Sequence, residues 1–316
     1  MLDQKHLTGQ SITLDATAST ARNAEGQLRR QRRRIGTDPE IRRLITGDEA
    51  QAFSFLDQQP LKNLIMIGLI RDHGLESPSN RGNFYGCFLQ DQLIGMALMG
   101  HCVLLSGSRE IINHFAHLAC LTEVSQVRMM LGEEGMIESF HHYLSQLSNR
   151  LTVHRTAPQL MLVLTDTQAT NHRLEGLRRA YASELDQVAR MNAEGYFELN
   201  GVDPATKDPA GFRERVLKRI EMGRVWVVND ADGIAFKVDI VSMTDEAVYL
   251  EGILTRADLR GTGLGSAALS SLCSLLLRQH KAVCLFANAD NQPLLSFYSR
   301  IGFAPFASYR LLHFAH

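Results

Sequence analysis

The sequence predicts an α+β protein built from two units of one architecture. Three observations carry this prediction. The 316 residues suffice for two ordinary domains, each with its own core. The same order of helical and strand-like segments runs through the chain twice, with roughly 130 residues per unit. Between the two runs, residues 166–173 are polar and lack periodicity, which marks a boundary.

The elements follow from periodicity. In the first run, 48–56 and 61–71 have helical spacing. Residues 84–90 and 92–99 alternate as strands around a tight turn at Asp91, and 103–105 continues as strand. A helix over 109–119, a short β-branched and apolar run over 127–131, a helix over 133–147 and a buried strand over 160–164 complete the unit. The second run opens with a strand over 177–181. Helices over 183–197, with Ser183 as N-cap, and 212–222 come next. A hairpin over 224–229 and 233–243 turns at Asp232-Gly233. Then come a strand over 247–254, a helix over 266–280, a strand over 283–287, a helix over 293–301 and a strand over 306–314.

Residues 1–37 have almost no apolar periodicity and carry Arg29, Arg30, Arg32, Arg33 and Arg34. They read as a flexible, solvated arm. A net charge of −1, with 45% hydrophobic and 21% charged residues, calls for neither a nucleic-acid nor a membrane partner. The longest apolar stretch, 64–70, is far too short to span a bilayer, and the polar opening is unlike a secretory signal. A cytoplasmic location is the expectation. Five cysteines without a C-x-x-C pair argue against disulfides and zinc. His114, His117, His141 and His142 lack a supporting carboxylate set, so no metal is expected.

The most informative segment is Arg260-Gly261-Thr262-Gly263-Leu264-Gly265-Ser266, between a strand and an amphipathic helix. A glycine-rich turn opening a helix presents unpaired N–H groups and the positive end of the helix dipole, a site suited to phosphate. Arg260 adds a fixed charge with a forked donor. No lysine completes a Walker loop, and Ser266 stands where the third glycine of a dinucleotide fingerprint belongs.

Arg260, Gly263 and Gly265 form Arg-x-x-Gly-x-Gly, which resembles the pyrophosphate-binding signature of the GCN5-related N-acetyltransferases. A second match lies downstream, where Asn291, Tyr298, Gly302 and Phe303 fall at the family's spacing, with Leu294 in place of its usual alanine. Asn291 or Asp290 can cap that helix, Pro293 suits its first turn, and Gly302 ends it. The resemblance implies two tandem α/β domains of this type with mixed, mostly antiparallel sheets. Residues 171–316 would be the catalytic domain, its two central strands splayed to admit the pantetheine arm. Residues 38–170 would be a degenerate copy, because they lack the glycine turn.

It further implies acetyl-CoA as co-substrate and an amine as acceptor. The backbone of Ile253, Leu254 and Thr255 would bond the pantetheine, with the oxyanion donor near Leu254. Arg260, Gly261, Thr262, Gly263, Leu264, Gly265 and Ser266 would hold the pyrophosphate, and Asn288 and Asn291 would contact the cofactor or order the helix beneath it. Tyr298 would protonate the leaving thiolate. Glu251, on the strand before the turn, would be the general base, directly or through a water chain, with Tyr249 and Ile253 on its face. Asp203, Glu194 and Glu198 flank the segment that shapes the acceptor site. Two alternatives stay open: a non-catalytic acyl-CoA-binding regulator, and a transferase for a larger acyl group. The sequence leaves the acceptor and the oligomeric state open.

Overall fold

The structure, a computed structural model, describes residues 38–122, 126–148, 151–165, 174–201, 203–206 and 208–315. The expected flexible arm, with its arginine cluster, and the expected boundary at 166–173 lie outside the described residues.

The first half runs β1 (Glu40–Arg43), α1 (Glu49–Leu56), α2 (Leu64–His73), β2 (Gly82–Leu89), β3 (Gln92–Gly100), β4 (Cys102–Gly107), α3 (Arg109–Thr122), β5 (Met129–Glu133), α4 (Glu134–Leu147) and β6 (Val153–Thr165). The second half repeats that order as β7 (Arg178–Arg179), α5 (Leu185–Asn200), α6 (Pro209–Glu221), β8 (Val225–Asp230), β9 (Gly233–Met243), β10 (Ala247–Thr255), α7 (Leu264–Leu276), β11 (Ala282–Asn288), α8 (Gln292–Ile301) and β12 (Ala304–Phe314). The duplication read from the sequence is therefore an element-by-element repeat. It is extended by β1, which the sequence reading omitted.

The two halves share one sheet, ordered β1-β2-β3-β4-β5-β12-β6-β11-β10-β9-β8-β7. The last strand of each half is lent to the other. β6 pairs β11 antiparallel from Thr165–Ala282 to Gln159–Asn288. β12 lies between β6 and β5, pairing Tyr309 with Glu133 and Leu312 with Met130. Each half is thus closed by a strand from beyond the sequence boundary.

Layering follows from which strand face is apolar. Leu250, Val248, Phe236 and Leu285 pack beneath Leu269 and Leu272 of α7, Ile301 of α8 and Phe303 just beyond it. On the opposite face, Val188, Val216 and Ile220 of α5 and α6 cover Val225, Val227 and Ile234. Helix α2 of the first half lies on that same face, with Leu64 packed among Ala247, Tyr249, Cys284 and Tyr309. Gly68 permits its close approach to β9, since a Cβ there would overlap the Ser242 side chain. Ser242 Oγ donates to Leu64 O at 2.7 Å, and Arg224 grips Asp72 through two bonds of 2.5 and 2.6 Å.

Some boundaries differ from expectation. Helix α7 begins at Leu264, two residues early, because Gly263 at φ 93° supplies the left-handed entry. Ser183 is not an N-cap. A single 3-10 turn over Ala182–Glu184 precedes α5, and Glu184 accepts the Tyr181 N–H at 2.8 Å. Helix α8 has the expected ends: Asn291 accepts from Leu294 N at 3.1 Å, and Gly302 closes it at φ 111°.

Candidate functional site

Parallel strands β10 and β11 pair only at Ala247–Ala282, Val248–Val283 and Tyr249–Cys284. Beyond these, β10 stays with β9 and β11 stays with β6, so a wedge opens between them. The cause lies in β10. Gly252 takes φ 55°, and the register against β9 shifts between Glu251 and Leu254, a bulge that bends the strand away.

The bulge changes the expected alternation. Tyr249 lies on the α2 face, and its hydroxyl donates to the Glu251 carboxylate. Ile253 packs instead with the α7–α8 core on the other face, because the extra residue reverses the side-chain order. Leu254 turns toward α5, where its side chain fits against Gly195. The backbone directions are fixed as well. Arg256 N–H donates to Ala235 O at 2.9 Å, and Leu254 is opposite Lys237. Antiparallel parity therefore points the Leu254 N–H at β9, away from the wedge. The Leu254 N–H itself therefore does not face the wedge. The backbone of Thr255 faces the open side, where its carbonyl accepts from Arg260 Nε at 3.2 Å.

At the mouth of the wedge sits the glycine turn. Gly261 and Gly263 are left-handed at φ 81° and 93°, with no atom within 4 Å of a hypothetical Cβ. Gly265 packs tightly, since a Cβ there would lie 2.6 Å from Thr255 Oγ1. The first regular helical bond runs from Ala267 N to Gly263 O at 3.0 Å. The amides of the preceding residues lack such a partner, and that of Leu264 reaches only Thr262 Oγ1 at 3.4 Å. Thr262 Oγ1 also donates to Leu259 O at 2.8 Å. The guanidinium of Arg260 is half-exposed and paired with Glu198 Oε1 at 3.0 Å. The residues thus fit a diphosphate: open space, convergent N–H donors and a cation.

Tyr298 is buried on α8 between Phe297 and Phe303, with centroids 5.2 and 5.8 Å away. Desolvation, then the nearby Cys273, pushes its phenol above the ordinary range. Its hydroxyl has no hydrogen-bond partner among the described residues. Asn288 Oδ1 accepts from Asp290 N at 2.8 Å, so the oxygens of Asn288 and Asn291 both serve local turns. Asp203 likewise accepts from Ala205 N at 2.8 Å. Of the acidic trio near the acceptor segment, only Glu198 meets the glycine turn.

A group that the sequence reading missed lies under the bulge. Lys237 is fully buried, 2.9 Å from Asp239 and bonded to Asn192. Arg219 joins Asp239 at 3.1 Å. A Cβ on Gly252 would sit 2.8 Å from Lys237 Nζ. Desolvation lowers the Lys237 pKa, and Asp239 opposes that effect. A lysine inside a strand with apolar neighbours was the available signal.

The first half keeps the same wedge without the glycine turn. β4 and β5 pair in parallel at Cys102–Met129 and Val103–Met130 only. A cavity of about 160 Å³ opens beyond, lined by Leu61, Leu105, Met136 and Tyr309, with Lys62 and Glu133 paired at 2.7 Å. Among the described residues, no cluster of His, Cys, Asp or Glu could hold a metal, and no helix is long and apolar enough to cross a membrane.

Residues 241–311 match the family model described as FR47-like protein. No curated protein matches the chain. Solved structures resemble it at low identity. A GCN5-related N-acetyltransferase from Sphaerobacter thermophilus is 14% identical with a TM-score of 0.56, over 87% of this chain and 94% of that one. A tandem GNAT protein from the clavulanic acid biosynthesis pathway is 13% identical at 0.54, over 87% and 98%. An acetyltransferase of the GNAT family from Colwellia psychrerythraea is 11% identical at 0.53, over 87% and 100%. The fold is that of the GCN5-related N-acetyltransferases, in a tandem arrangement.

Proposed function

We propose that the chain moves an acetyl group from acetyl-CoA to a primary amine by direct attack within the second half. The observation that carries this reading is the wedge: parallel pairing stops at Tyr249–Cys284, and the Arg260–Ser266 turn stands at its mouth. Acetyl-CoA supplies an activated thioester. The first-turn amides, Gly261, Gly263 and Arg260 hold its diphosphate, and the backbone of β10 from Ile253 to Thr255 orients the pantetheine.

An alkylammonium must lose a proton before it attacks, which costs roughly 4–5 kcal/mol at pH 7. Glu251 takes that proton, directly or through water. The Tyr249 phenol, pushed well up by burial and then by the Glu251 charge, stays protonated and fixes the carboxylate by donating to it. Tyr298 is also held protonated by its buried setting, so it can donate to the departing sulfur. Its free hydroxyl suits that role.

The test is thiol release from acetyl-CoA across a panel of amines, with Tyr298→Phe and Glu251→Gln as variants. Tyr298→Phe should lower kcat at least tenfold while CoA affinity holds. CoA binding without amine-dependent thiol release would favour the regulatory alternative and sink the catalytic reading.

A further inference from the structure

The cavity beyond the first wedge is floored by a row of aromatic rings. Tyr249 of β10, Phe286 of β11 and Tyr309 of β12 all line it. Phe286 meets both tyrosines edge-on, with its ring centroid 5.4 Å from that of Tyr249 and 4.8 Å from that of Tyr309. Met66 of α2, Met136 of α4 and Met161 of β6 close in around the rings. Methionine side chains adapt to a ligand's outline, and their sulfurs pack favourably against aromatic rings. Both halves contribute walls, and neither encloses the space alone.

Size and charge narrow what fits. The cavity measures about 160 Å³, and an apolar cavity of roughly 150 Å³ holds a benzene ring. Its α3–α4 side is not open to a CoA molecule. Arg109, the first residue of α3, lies against Gly135 in the first turn of α4, where an added Cβ would overlap the guanidinium. That side chain spans the two helix N-termini at which a diphosphate would dock, and Ser106-Gly107-Ser108 forms no glycine-rich turn. The charged side chains lining the cavity, Lys62 and Glu133, bond each other at 2.7 Å. Both are partly exposed, so they stand at the rim, and their pairing leaves no net charge for a ligand ion to meet.

One polar group inside is left over. Tyr309 is only 5% exposed, and its hydroxyl has no hydrogen-bond partner among the described residues. Glu133 lies opposite Tyr309 on β5 but is held by Lys62 instead. A buried hydroxyl without a partner is unfavourable, and a ligand oxygen would satisfy it. Burial, then the Glu133 charge, pushes this phenol above its ordinary range, so the group remains a donor. We infer that the cavity is a binding site for an uncharged aromatic molecule of about benzene size carrying one oxygen, which accepts a hydrogen bond from Tyr309. This goes beyond the proposed function and does not rest on it.

Phenol and toluene test it, since they share a shape and differ in one hydroxyl. Both should bind the native protein in calorimetric or NMR titrations. Tyr309→Phe should weaken phenol by about three- to tenfold and leave toluene unchanged. Benzoate should bind roughly tenfold more weakly than phenol or worse, because nothing in the cavity offsets its charge. Leu105→Trp, which fills the space from β4, should abolish binding of both rings. Met136→Phe narrows it from α4 and should weaken both if the tryptophan variant fails to fold. Saturating CoA should leave the phenol titration unchanged, because the two sites are separate. Competition by CoA would place phenol in the second wedge and overturn the inference. So would the absence of saturable binding by either ring, or equal losses of phenol and toluene in Tyr309→Phe.

Discussion

Arg260, the first residue of the glycine turn, is held by Glu198 at the far end of α5, with Nη2 3.0 and 3.1 Å from the two carboxylate oxygens. Any phosphate drawn to Arg260 competes with that carboxylate. Both side chains are about half-exposed, so the pair contributes only about 0–1 kcal/mol. Glu198→Gln should therefore tighten CoA binding modestly, by about two- to fivefold. Arg260→Gln should weaken it by about tenfold or more. Calorimetric titration at low salt checks both. An unchanged affinity in Glu198→Gln would show that the pair does not restrain Arg260.

Gly263 enters α7 at φ 93° with open space where a side chain would project. The penalty for replacing it is thus conformational rather than steric. Gly263→Val should strain the turn by about 1–2 kcal/mol and cut CoA affinity at least tenfold. Gly263→Asn should lose less of both, since asparagine tolerates the left-handed region. Thermal melts and CoA titrations of the two variants measure the ordering. Equal damage from valine and asparagine would point to the added atoms rather than the backbone.

Glu184 gives a pH signature. It accepts two bonds of 2.8 Å from Arg178, one from Tyr181 N and one from Asn229. The Arg178 bonds are the largest cause of its drop from 4.5 to about 2. Its folded pKa lies below its unfolded one, so its stabilisation is complete above about pH 4.5 and disappears as pH falls through about 2. The contribution is about 1–3 kcal/mol after screening by solvent. Glu184→Gln should be less stable at pH 7 and should lose less stability than the parent between pH 4.5 and 2. Denaturant melts across that window decide, and parallel curves would remove Glu184 from the account.

Local features were legible in the sequence because their causes are local. The cap at Asn291, the stop at Gly302 and the turn at Gly233 follow from residue chemistry within a few positions. So does the glycine turn. The bulge at Gly252 was not legible, because a glycine inside an apolar strand fits a flat ladder and a bent one equally well. Only the pairing with β9 separates them, and it moved Ile253 to the opposite face from Glu251. Lys237 was hidden for a related reason: its partners Asp239 and Asn192 come from two elements, and Arg219, which shares Asp239, from a third. The strand exchange was least legible of all. Nothing in the composition of β6 or β12 says which neighbour each will choose.

That exchange bears on how the chain is made. β5 has no lasting neighbour on its open edge until the final eleven-residue strand has been synthesised, and contacts so distant along the chain close slowly. Throughout synthesis the first half offers an unsatisfied row of amides and carbonyls to whatever is nearby, including a sister nascent chain on the same message. Emergence of β12, rather than completion of the first half, is then the event that commits these two halves to their shape.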